Sequence, residues 1–293
     1  MRAAVIHELG ATPVVEERDE PVRGDGQALV GTAAAGVNPV DLAIGAGVFY
    51  GGHPPLPYEP GCEAAGRTDD GGLVYLFGEG RGSARTGFLV ERVEFPAELA
   101  IPVPEGIDPA VAAAAGIAGV AGWVPVAWKA NITPEDRVLV LGGTGAVGQI
   151  AVQAAKLLGA AKVVGVGRKD VDTIPEAFGD EGFTVCIDPV WGEPLAKALA
   201  SAAPHARVVH LGQSAGPESP LRSADVRSKE LQILGHSNFA LSRDDLRRAY
   251  LELLDHVAAG RMTIDVETYA LDDVEAAWAK QQSGPHKKIA VTL

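Results

Sequence analysis

The sequence predicts an α/β protein with two domains, one rich in strands and one built on a doubly wound parallel sheet of the Rossmann type. Residues 1–107 alternate short apolar stretches with clusters of glycine, proline and aspartate, which is typical of strands and turns. From residue 108 to residue 239, strand patterns alternate with helix patterns, and a glycine loop follows an apolar strand at residues 143–148. Residues 240–293 end in strand patterns, so we assign them to the first domain.

The predicted elements follow from apolar runs and their boundaries. Asp108 and Pro109 begin an alanine-rich helix, because aspartate suits the N-cap and proline the first helical position. The proline-rich stretch 51–61 predicts a surface loop near a site or a domain seam. The predicted strands are 2–6, 28–35, 73–77, 88–93, 137–141, 162–166, 184–187, 207–211, 231–234, 265–270 and 288–293, and the later helices are 146–158 and 243–259.

Composition excludes several classes of function. The formal net charge of -13 repels phosphate backbones and anionic membranes, so we expect neither nucleic acid nor a membrane as a partner. The two cysteines are far apart in sequence, which fits a reducing compartment, and the N-terminus has no signal-peptide pattern. The apolar run 109–126 is mostly alanine and glycine and predicts a buried helix. We therefore expect a cytoplasmic protein.

The glycine loop predicts a dinucleotide site. Gly143, Gly145 and Gly148 form G-x-G-x-x-G between an apolar strand and an amphipathic helix. In this motif the first glycine permits a tight turn, the second lets the backbone approach a pyrophosphate, and the third lets helix and strand pack closely. The N-terminus of the helix offers free N–H groups to the phosphates. A plain strand–turn–helix corner is the alternative.

The residues after the next strand indicate which dinucleotide binds. An NAD site places an acidic residue there, about 20 residues past the loop, to bind the ribose 2′-hydroxyl. Here Arg168 and Lys169 stand at that place, and their positive charges suit a 2′-phosphate. The cofactor predicted is NADP(H), although Asp170 and Asp172 lie close enough to complicate the assignment.

Five segments follow one another along the chain in the order AGVNPVD, PGCEAAG, GGTGAVG, ARVVHLGQSAG and KKIAVTL. In the order of these segments the chain resembles the zinc-independent quinone oxidoreductases, a branch of the medium-chain dehydrogenase/reductases that includes ζ-crystallin. The resemblance implies a GroES-like, partly open β-barrel domain (1–107 and 240–293) and a Rossmann domain that binds NADP(H) (108–239). It also implies a homodimer that forms through an edge strand of the Rossmann sheet. The run 231–234 is compatible with such an edge, and equally with a buried strand.

The resemblance also carries over to single residues. Zinc-dependent relatives have a cysteine at Asn38 and a histidine at Cys62, so we expect no metal here, and a small buried thiol at Cys62. Glu63 is either a carboxylate that fixes a loop or part of the site. Asn38 and Asp41 match an N-x-x-D element near the nicotinamide, with a turn as the alternative for Asn38. Tyr50, beside Phe49, and less strongly Tyr58 are candidates for the tyrosine of this family.

The sequence thus predicts two sets of site residues. The predicted catalytic residues are Asn38, Asp41 and Tyr50. The predicted cofactor-binding residues are Gly143, Thr144, Gly145, Ala146, Val147, Gly148, Arg168, Lys169, Leu211, Gly212, Gln213, Ser237, Phe239 and Lys288.

The resemblance implies an NADPH-dependent, zinc-independent oxidoreductase that reduces quinones or related activated alkenes and carbonyls by hydride transfer. One alternative is an enoyl or alcohol/carbonyl reductase of the same superfamily. The segment 67–88 is shorter and richer in glycine than in relatives, which predicts a trimmed barrel. A non-catalytic NADPH-binding protein is therefore the third hypothesis.

Overall fold

The computed structural model describes all 293 residues, which divide into two compact units. The first unit contains Met1–Ala118, Arg243–Gly260 and Ile264–Leu293, and the second contains Gly119–Ser242 and Arg261–Thr263. Each unit has its own sheet and its own core. The predicted domain bounds, 1–107 with 240–293 for one domain and 108–239 for the other, remain a prediction.

The β-strands range in length from two residues to 11 residues. In chain order they are β1 (Arg2–Val5), β2 (Val14–Glu17), β3 (Gln27–Val37), β4 (Glu63–Thr68), β5 (Leu73–Phe77), β6 (Arg92–Pro96), β7 (Ile101–Pro102), β8 (Arg137–Leu141), β9 (Lys162–Val166), β10 (Phe183–Asp188), β11 (Ala202–His210), β12 (Gln232–Gly235), β13 (Val266–Ala270) and β14 (Lys288–Thr292).

The α-helices range from one turn to more than four turns. They are α1 (Pro39–Gly45), α2 (Pro109–Ala114), α3 (Val120–Val124), α4 (Ala146–Leu157), α5 (Ile174–Phe178), α6 (Gly192–Ala198), α7 (Ser223–Ser228), α8 (Arg243–Ala258) and α9 (Val274–Gln282).

The first unit is built on a seven-stranded sheet in the order β13-β14-β3-β4-β5-β7, with β6 also paired to β3. Strand β3 is the centre of this sheet, because it pairs antiparallel with β14, β4 and β6 along its 11 residues. Strands β1 and β2 form a separate antiparallel pair. The buried side chains of these strands form one apolar cluster with α9, which contributes Val274, Ala277 and Trp278. The C-terminal strand thus returns to the sheet of the first unit, as predicted.

The second unit is a parallel sheet of five strands in the order β12-β11-β10-β8-β9. Leu139 and Leu141 of β8 pack with α5 and α6 in one apolar cluster. Helix α4 packs against β8 and β9. Because all five strands run in the same direction, their carboxyl ends meet at one edge, where ligands bind in sheets of this type.

Two predicted strands differ most from the structure in their bounds, and most of the others differ by one or two residues at an end. The strand predicted at 88–93 begins at Arg92, because the backbone of Leu89 bonds Ala4 of β1 and Pro60 of a loop instead. The strand predicted at 207–211 begins earlier, at Ala202, and ends at His210. The strand predicted at 231–234 is β12, an edge strand whose residues are mostly exposed, so the alternative of a buried strand was wrong.

The helical run Pro109–Lys129 is long and apolar enough to cross a membrane, but 78% of an apolar stretch of 18 residues within it is buried inside the protein. It includes two stretches with π-type hydrogen bonds, Ala115–Gly119 and Pro125–Lys129. The carboxylate of Asp108 accepts hydrogen bonds from the N–H groups of Ala110 and Val111, as expected of an N-cap. Burial within the protein therefore accounts for the composition of this run.

Candidate functional site

The glycine loop of the second unit connects β8 to α4 at the carboxyl edge of the parallel sheet. Gly145 is the N-cap of α4, and it has no side chain that could cap the helix. The first N–H groups of a helix lack partners within the helix, so those of Ala146 and Val147 are donors for an anion. The backbone of Thr144 is fixed, because Gln149 donates a hydrogen bond of 2.7 Å from Nε2 to the Thr144 carbonyl.

The structure assigns the glycine roles more finely than the motif did. The left-handed backbone conformation falls at Gly142, with φ of 62°, and Gly143 lies inside the turn that the N–H of Gly145 closes by a hydrogen bond of 2.9 Å to the Gly142 carbonyl. Gly143 also allows close packing, because a Cβ there would lie 2.5 Å from the Cα of Gly165 in β9. A Cβ at Gly148 would lie 2.8 Å from the Cα of Gly143. A Cβ at Gly145 meets only the Gly142 oxygen at 3.4 Å, which leaves space above the loop.

Arg168 and the turn after β11 come together at the same edge. Nη1 of Arg168 donates a hydrogen bond of 3.0 Å to the carbonyl of Ser214. The turn lies beside the end of β10, because the N–H of Leu211 donates a hydrogen bond of 2.9 Å to the Asp188 carbonyl. Gly212 is needed there, because a Cβ would lie 2.8 Å from the Pro189 oxygen. Gln213 lies in this turn between Gly212 and Ser214.

Lys169, Asp170 and Asp172 are the charged residues that follow Arg168 in sequence. Lys169 is exposed beside it. Asp172 faces away toward Lys197, at 3.6 Å, and Asp170 forms a turn with Gly167 through a backbone hydrogen bond of 3.1 Å. Neither carboxylate pairs with Arg168. The two aspartates therefore do not neutralise the guanidinium that we assigned to the 2′-phosphate.

The residues predicted after β12 lie at the carboxyl end of the edge strand. Ser237 precedes a single helical turn, Asn238–Ala240, in which Phe239 is 41% exposed. The ring of His236 bonds the side-chain oxygen of Asn238 at 2.9 Å. Burial lowers the pKa of His236, the bond to Asn238 opposes this shift, and the charge of Lys129 adds to it.

The first unit contains a buried polar network centred on Glu63, whose side chain is fully buried. Oε1 of Glu63 accepts hydrogen bonds from Asn38 Nδ2 at 2.9 Å and from Lys288 Nζ at 2.7 Å. Oε2 accepts from the hydroxyl of Tyr75 at 3.1 Å and from the backbone N–H of Ile117. Four donors from four chain segments thus converge on one carboxylate, which a buried charge requires.

Asn38 and Asp41 belong to the same network, and each is 2% exposed. Nδ2 of Asn38 donates to Asp41 and Glu63, and its Oδ1 accepts from Lys288. Asp41 accepts from the backbone N–H of Asn38 at 2.7 Å and from that of Cys62 at 2.8 Å. Because their polar atoms are already paired, the geometry favours a positioning role over direct contact with a substrate. Lys288, which is predicted to bind the cofactor, also belongs to this network.

Burial controls the ionisation of the surrounding groups. It raises the pKa of Asp41, although Cys62, Lys288 and Asn38 act in the opposite direction. It also raises the pKa of the Cys62 thiol well above its usual range, and the charge of Asp41 adds to this shift. Cys62 is 1% exposed, so the prediction of a small buried thiol is confirmed. The same effect of burial keeps the hydroxyl of Tyr75 neutral, with its pKa well above the usual range.

The predicted tyrosine lies in a different setting. Tyr50 is 84% exposed, and its ring packs on Phe49 with 4.4 Å between the centroids. Its hydroxyl is accessible, so its catalytic role stays a proposal. Tyr58 is fully buried, and burial raises the pKa of its hydroxyl.

Sequence reasoning left Glu63 undecided and missed Gly36. A Cβ at Gly36 would lie 2.9 Å from Lys288 Nζ and would also clash with Glu63 Oε1, so this glycine provides the space for the ion pair. An isolated glycine inside an apolar strand is a sign of such close approach, and this signal was available at Gly36.

The family model that matches the chain is described as a zinc-binding dehydrogenase and covers residues 158–289. The quinone oxidoreductase of Pongo abelii is 28% identical over 278 residues, which cover 85% of this chain and 83% of that protein. The crystal structure of the quinone oxidoreductase from Thermus thermophilus, also solved with NADPH, is 25% identical, with full coverage of both chains and a TM-score of 0.85. The chain is thus similar to quinone oxidoreductase-like medium-chain dehydrogenases/reductases.

These similarities confirm the predicted fold class, a Rossmann domain with a GroES-like domain. A second kind of relative is much longer. One phenolphthiocerol/phthiocerol polyketide synthase polypeptide of Mycobacterium tuberculosis is 27% identical over 324 residues, which cover 97% of this chain but 14% of that protein. The chain therefore spans a small part of those synthases and most of the quinone oxidoreductases.

Proposed function

We propose that this protein is an NADPH-dependent, zinc-independent oxidoreductase of the medium-chain dehydrogenase/reductase type that reduces quinones or related activated alkenes and carbonyls. The observation that carries the proposal is the glycine loop at the N-terminus of α4, with Arg168 at the end of the neighbouring strand β9. Bound NADPH would supply the hydride. The residues of the chain would bind the dinucleotide, orient it and exclude water.

The residues around the loop fit the cofactor. The open space above Gly145 leaves room for the pyrophosphate, and the N–H groups of Ala146 and Val147 are its donors. Arg168 and Lys169 would bind the 2′-phosphate. Leu211, Gly212, Gln213, Ser237 and Phe239 would line the other part of the same edge. A similar structure was solved with NADPH, which supports this choice of cofactor.

The residues of the first unit do not fit a catalytic zinc. A zinc site needs three protein ligands, and a cysteine ligand must be a thiolate. Cys62 holds its proton, and the oxygens of Asn38 and Glu63 already receive hydrogen bonds from the ammonium of Lys288. No group of three or more histidine, cysteine or acidic side chains has the arrangement of a metal site. We therefore propose a reaction that needs no metal ion.

Asn38, Asp41 and Lys288 would act by holding their loop and strand in place, and Tyr50 would present its hydroxyl to solvent or substrate. No side chain is required as a general acid for a quinone, since water can protonate the reduced product. We also propose a small-molecule substrate, a cytoplasmic location and a homodimer that forms through β12. Strand β12 has an open edge on which Ile233 is 38% exposed.

The second candidate is a reductase of enoyl or carbonyl substrates. The match to a polyketide synthase polypeptide, which covers 97% of this chain, favours it. A panel of quinones, enones and aldehydes, followed at 340 nm with NADPH and with NADH, separates the candidates. We expect quinone turnover with NADPH, and a loss of rate in Tyr50→Phe if the hydroxyl takes part. Turnover of enones or aldehydes alone would refute the quinone assignment, and NADPH binding without turnover would favour a non-catalytic protein.

A further inference from the structure

Asp188 and His210 form a hydrogen-bonded pair at the carboxyl edge of the parallel sheet. Asp188 is the last residue of β10, His210 is the last residue of β11, and the two stand opposite each other in the register. Nδ1 of His210 lies 3.0 Å from Oδ2 of Asp188. The pair is part of neither the glycine loop nor the turns predicted to bind the cofactor.

The carboxylate of Asp188 determines which ring nitrogen carries the proton. Asp188 is fully buried, and its Oδ1 accepts the N–H groups of Val190 at 2.9 Å and Trp191 at 2.8 Å. An ionised carboxylate can only accept hydrogen bonds, so Nδ1 of His210 is the donor. In the neutral ring, Nε2 then keeps a free lone pair. The side chain of His210 is 28% exposed, so the ring is accessible at this edge.

Trp191 holds the ring from a second side. Its indole packs on the imidazole with 4.1 Å between the centroids and 39° between the planes. The backbone of Trp191 has a φ of 60°, a left-handed conformation that favours glycine. A bulky residue kept in a strained conformation next to a ligand-binding edge is typical of a functional constraint. Here the constraint orients the imidazole.

The order of the strands places the pair relative to the rest of the site. A Cβ on Gly142 would lie 3.0 Å from Cγ2 of Val190, so the glycine loop packs on the turn that follows Asp188. Arg168 follows β9, on one side of the loop, whereas His210 ends β11, on the other side. A dinucleotide with its pyrophosphate on α4 and its 2′-phosphate at Arg168 must extend its second half over β10 and β11.

We propose that Nε2 of His210 accepts a hydrogen bond from a hydroxyl of the ribose that carries the nicotinamide. His210 is then a cofactor-binding residue, and Asp188 and Trp191 are positioning residues that act through it. The proposal rests on the proposed function, because it requires a dinucleotide at this edge. It names the polar contact for the half of the cofactor that Arg168 does not reach.

The test uses three ligands that differ in their parts: NADPH, 2′-phospho-ADP-ribose, which lacks only the nicotinamide, and 2′,5′-ADP, which also lacks the second ribose and its phosphate. The key variant is His210→Asn, because its amide can still donate to Asp188 while the Nε2 acceptor is gone. We expect its Kd to rise about fivefold to tenfold for NADPH and 2′-phospho-ADP-ribose, the range for one hydrogen bond, and to stay unchanged for 2′,5′-ADP. Asp188→Asn should show the same selectivity.

His205→Asn is the matched control, since His205 lies in the same strand with a side chain that is 69% exposed. It should leave all three affinities unchanged. Equal losses for all three ligands in His210→Asn would show a merely structural role, and no loss would refute the contact. Weaker NADPH binding with unchanged 2′-phospho-ADP-ribose binding would move the contact from the ribose to the nicotinamide and overturn the proposal. If the unaltered protein bound none of the ligands, the proposed function itself would fail.

Discussion

The ammonium of Lys288 lies 2.7 Å from a carboxylate oxygen of Glu63, and the two side chains are only 3% and 0% exposed. Lys288 begins β14 and Glu63 begins β4, and both strands pair with β3. An ion pair between segments 225 residues apart thus joins the C-terminal strand to the centre of the first unit. Removal of one partner would leave a buried charge without compensation.

We therefore expect Lys288→Met to lower the free energy of unfolding by about 3–5 kcal/mol, because Glu63 would remain buried and unpaired. The double variant with Glu63→Gln should lose less than the sum of the two single variants. Urea unfolding of the four proteins measures both effects. Lys280→Met, which removes a partly exposed pair with Glu267, is the control and should change little. Equal losses in Lys288→Met and Lys280→Met would contradict the account.

Gly36→Ala tests the space that the pair needs. The new methyl group would clash with both Glu63 and Lys288, so we expect a loss of about 1–3 kcal/mol. Gly31→Ala in the same strand is the matched control, because the nearest atom to its Cβ would be the Arg67 carbonyl oxygen at 3.9 Å. Thermal unfolding of the two variants gives the comparison. Similar midpoints would mean that the pair can shift without cost.

Substitutions at two glycines of the loop should separate an effect on stability from an effect on NADPH binding. Gly148→Ala would bring a Cβ to 2.8 Å from the Cα of Gly143, so it should lower stability as well as NADPH affinity. Gly145→Ala fits the backbone, so it should keep its stability and lose affinity, because the methyl group would occupy the space for the pyrophosphate. Calorimetry gives both quantities. Unchanged affinity in Gly145→Ala would place the phosphates elsewhere.

Burial of His236 predicts a dependence of stability on pH. Its pKa in the folded protein is lowered from 6.5, so the unfolded chain takes up the proton first. The stability that the neutral ring contributes is present above pH 6.5 and is lost as the pH falls below it toward the folded-state pKa. His236→Gln should therefore lose less stability than the unaltered protein between about pH 7.5 and about pH 5.5. His205→Gln should behave like the unaltered protein, and urea midpoints at each pH decide the matter.

The strands with sharp local boundaries could be predicted from the sequence. Leu73–Phe77, Arg137–Leu141 and Lys162–Val166 are apolar runs that end at glycine, proline or charged residues, and the structure has the same bounds. The strand predicted at 88–93 lacked this property, since the backbones of residues 88 and 89 bond to residues 4, 60 and 61, which are distant in sequence. Local patterns contain no information about such partners.

The glycine loop could likewise be predicted, because it is one continuous segment with a known use for each glycine. The network around Glu63 could not, since its donors come from residues 38, 75, 117 and 288. The pairing of Asp188 with His210 depends on the order of strands in the sheet, and no local pattern shows that order. A carboxylate and an imidazole at the ends of two predicted parallel strands were nevertheless visible in the sequence.

The measurement that tests the central claim most directly is a titration of the unaltered protein and of Arg168→Ala with NADPH and with NADH. We expect the unaltered protein to prefer NADPH, and the variant to lose about tenfold or more in NADPH affinity with little change for NADH, since only NADPH carries the 2′-phosphate. Arg222→Ala, which removes a side chain that is 77% exposed, is the control. Equal losses for both cofactors, or no preference in the unaltered protein, would contradict the assignment of this edge as an NADPH site.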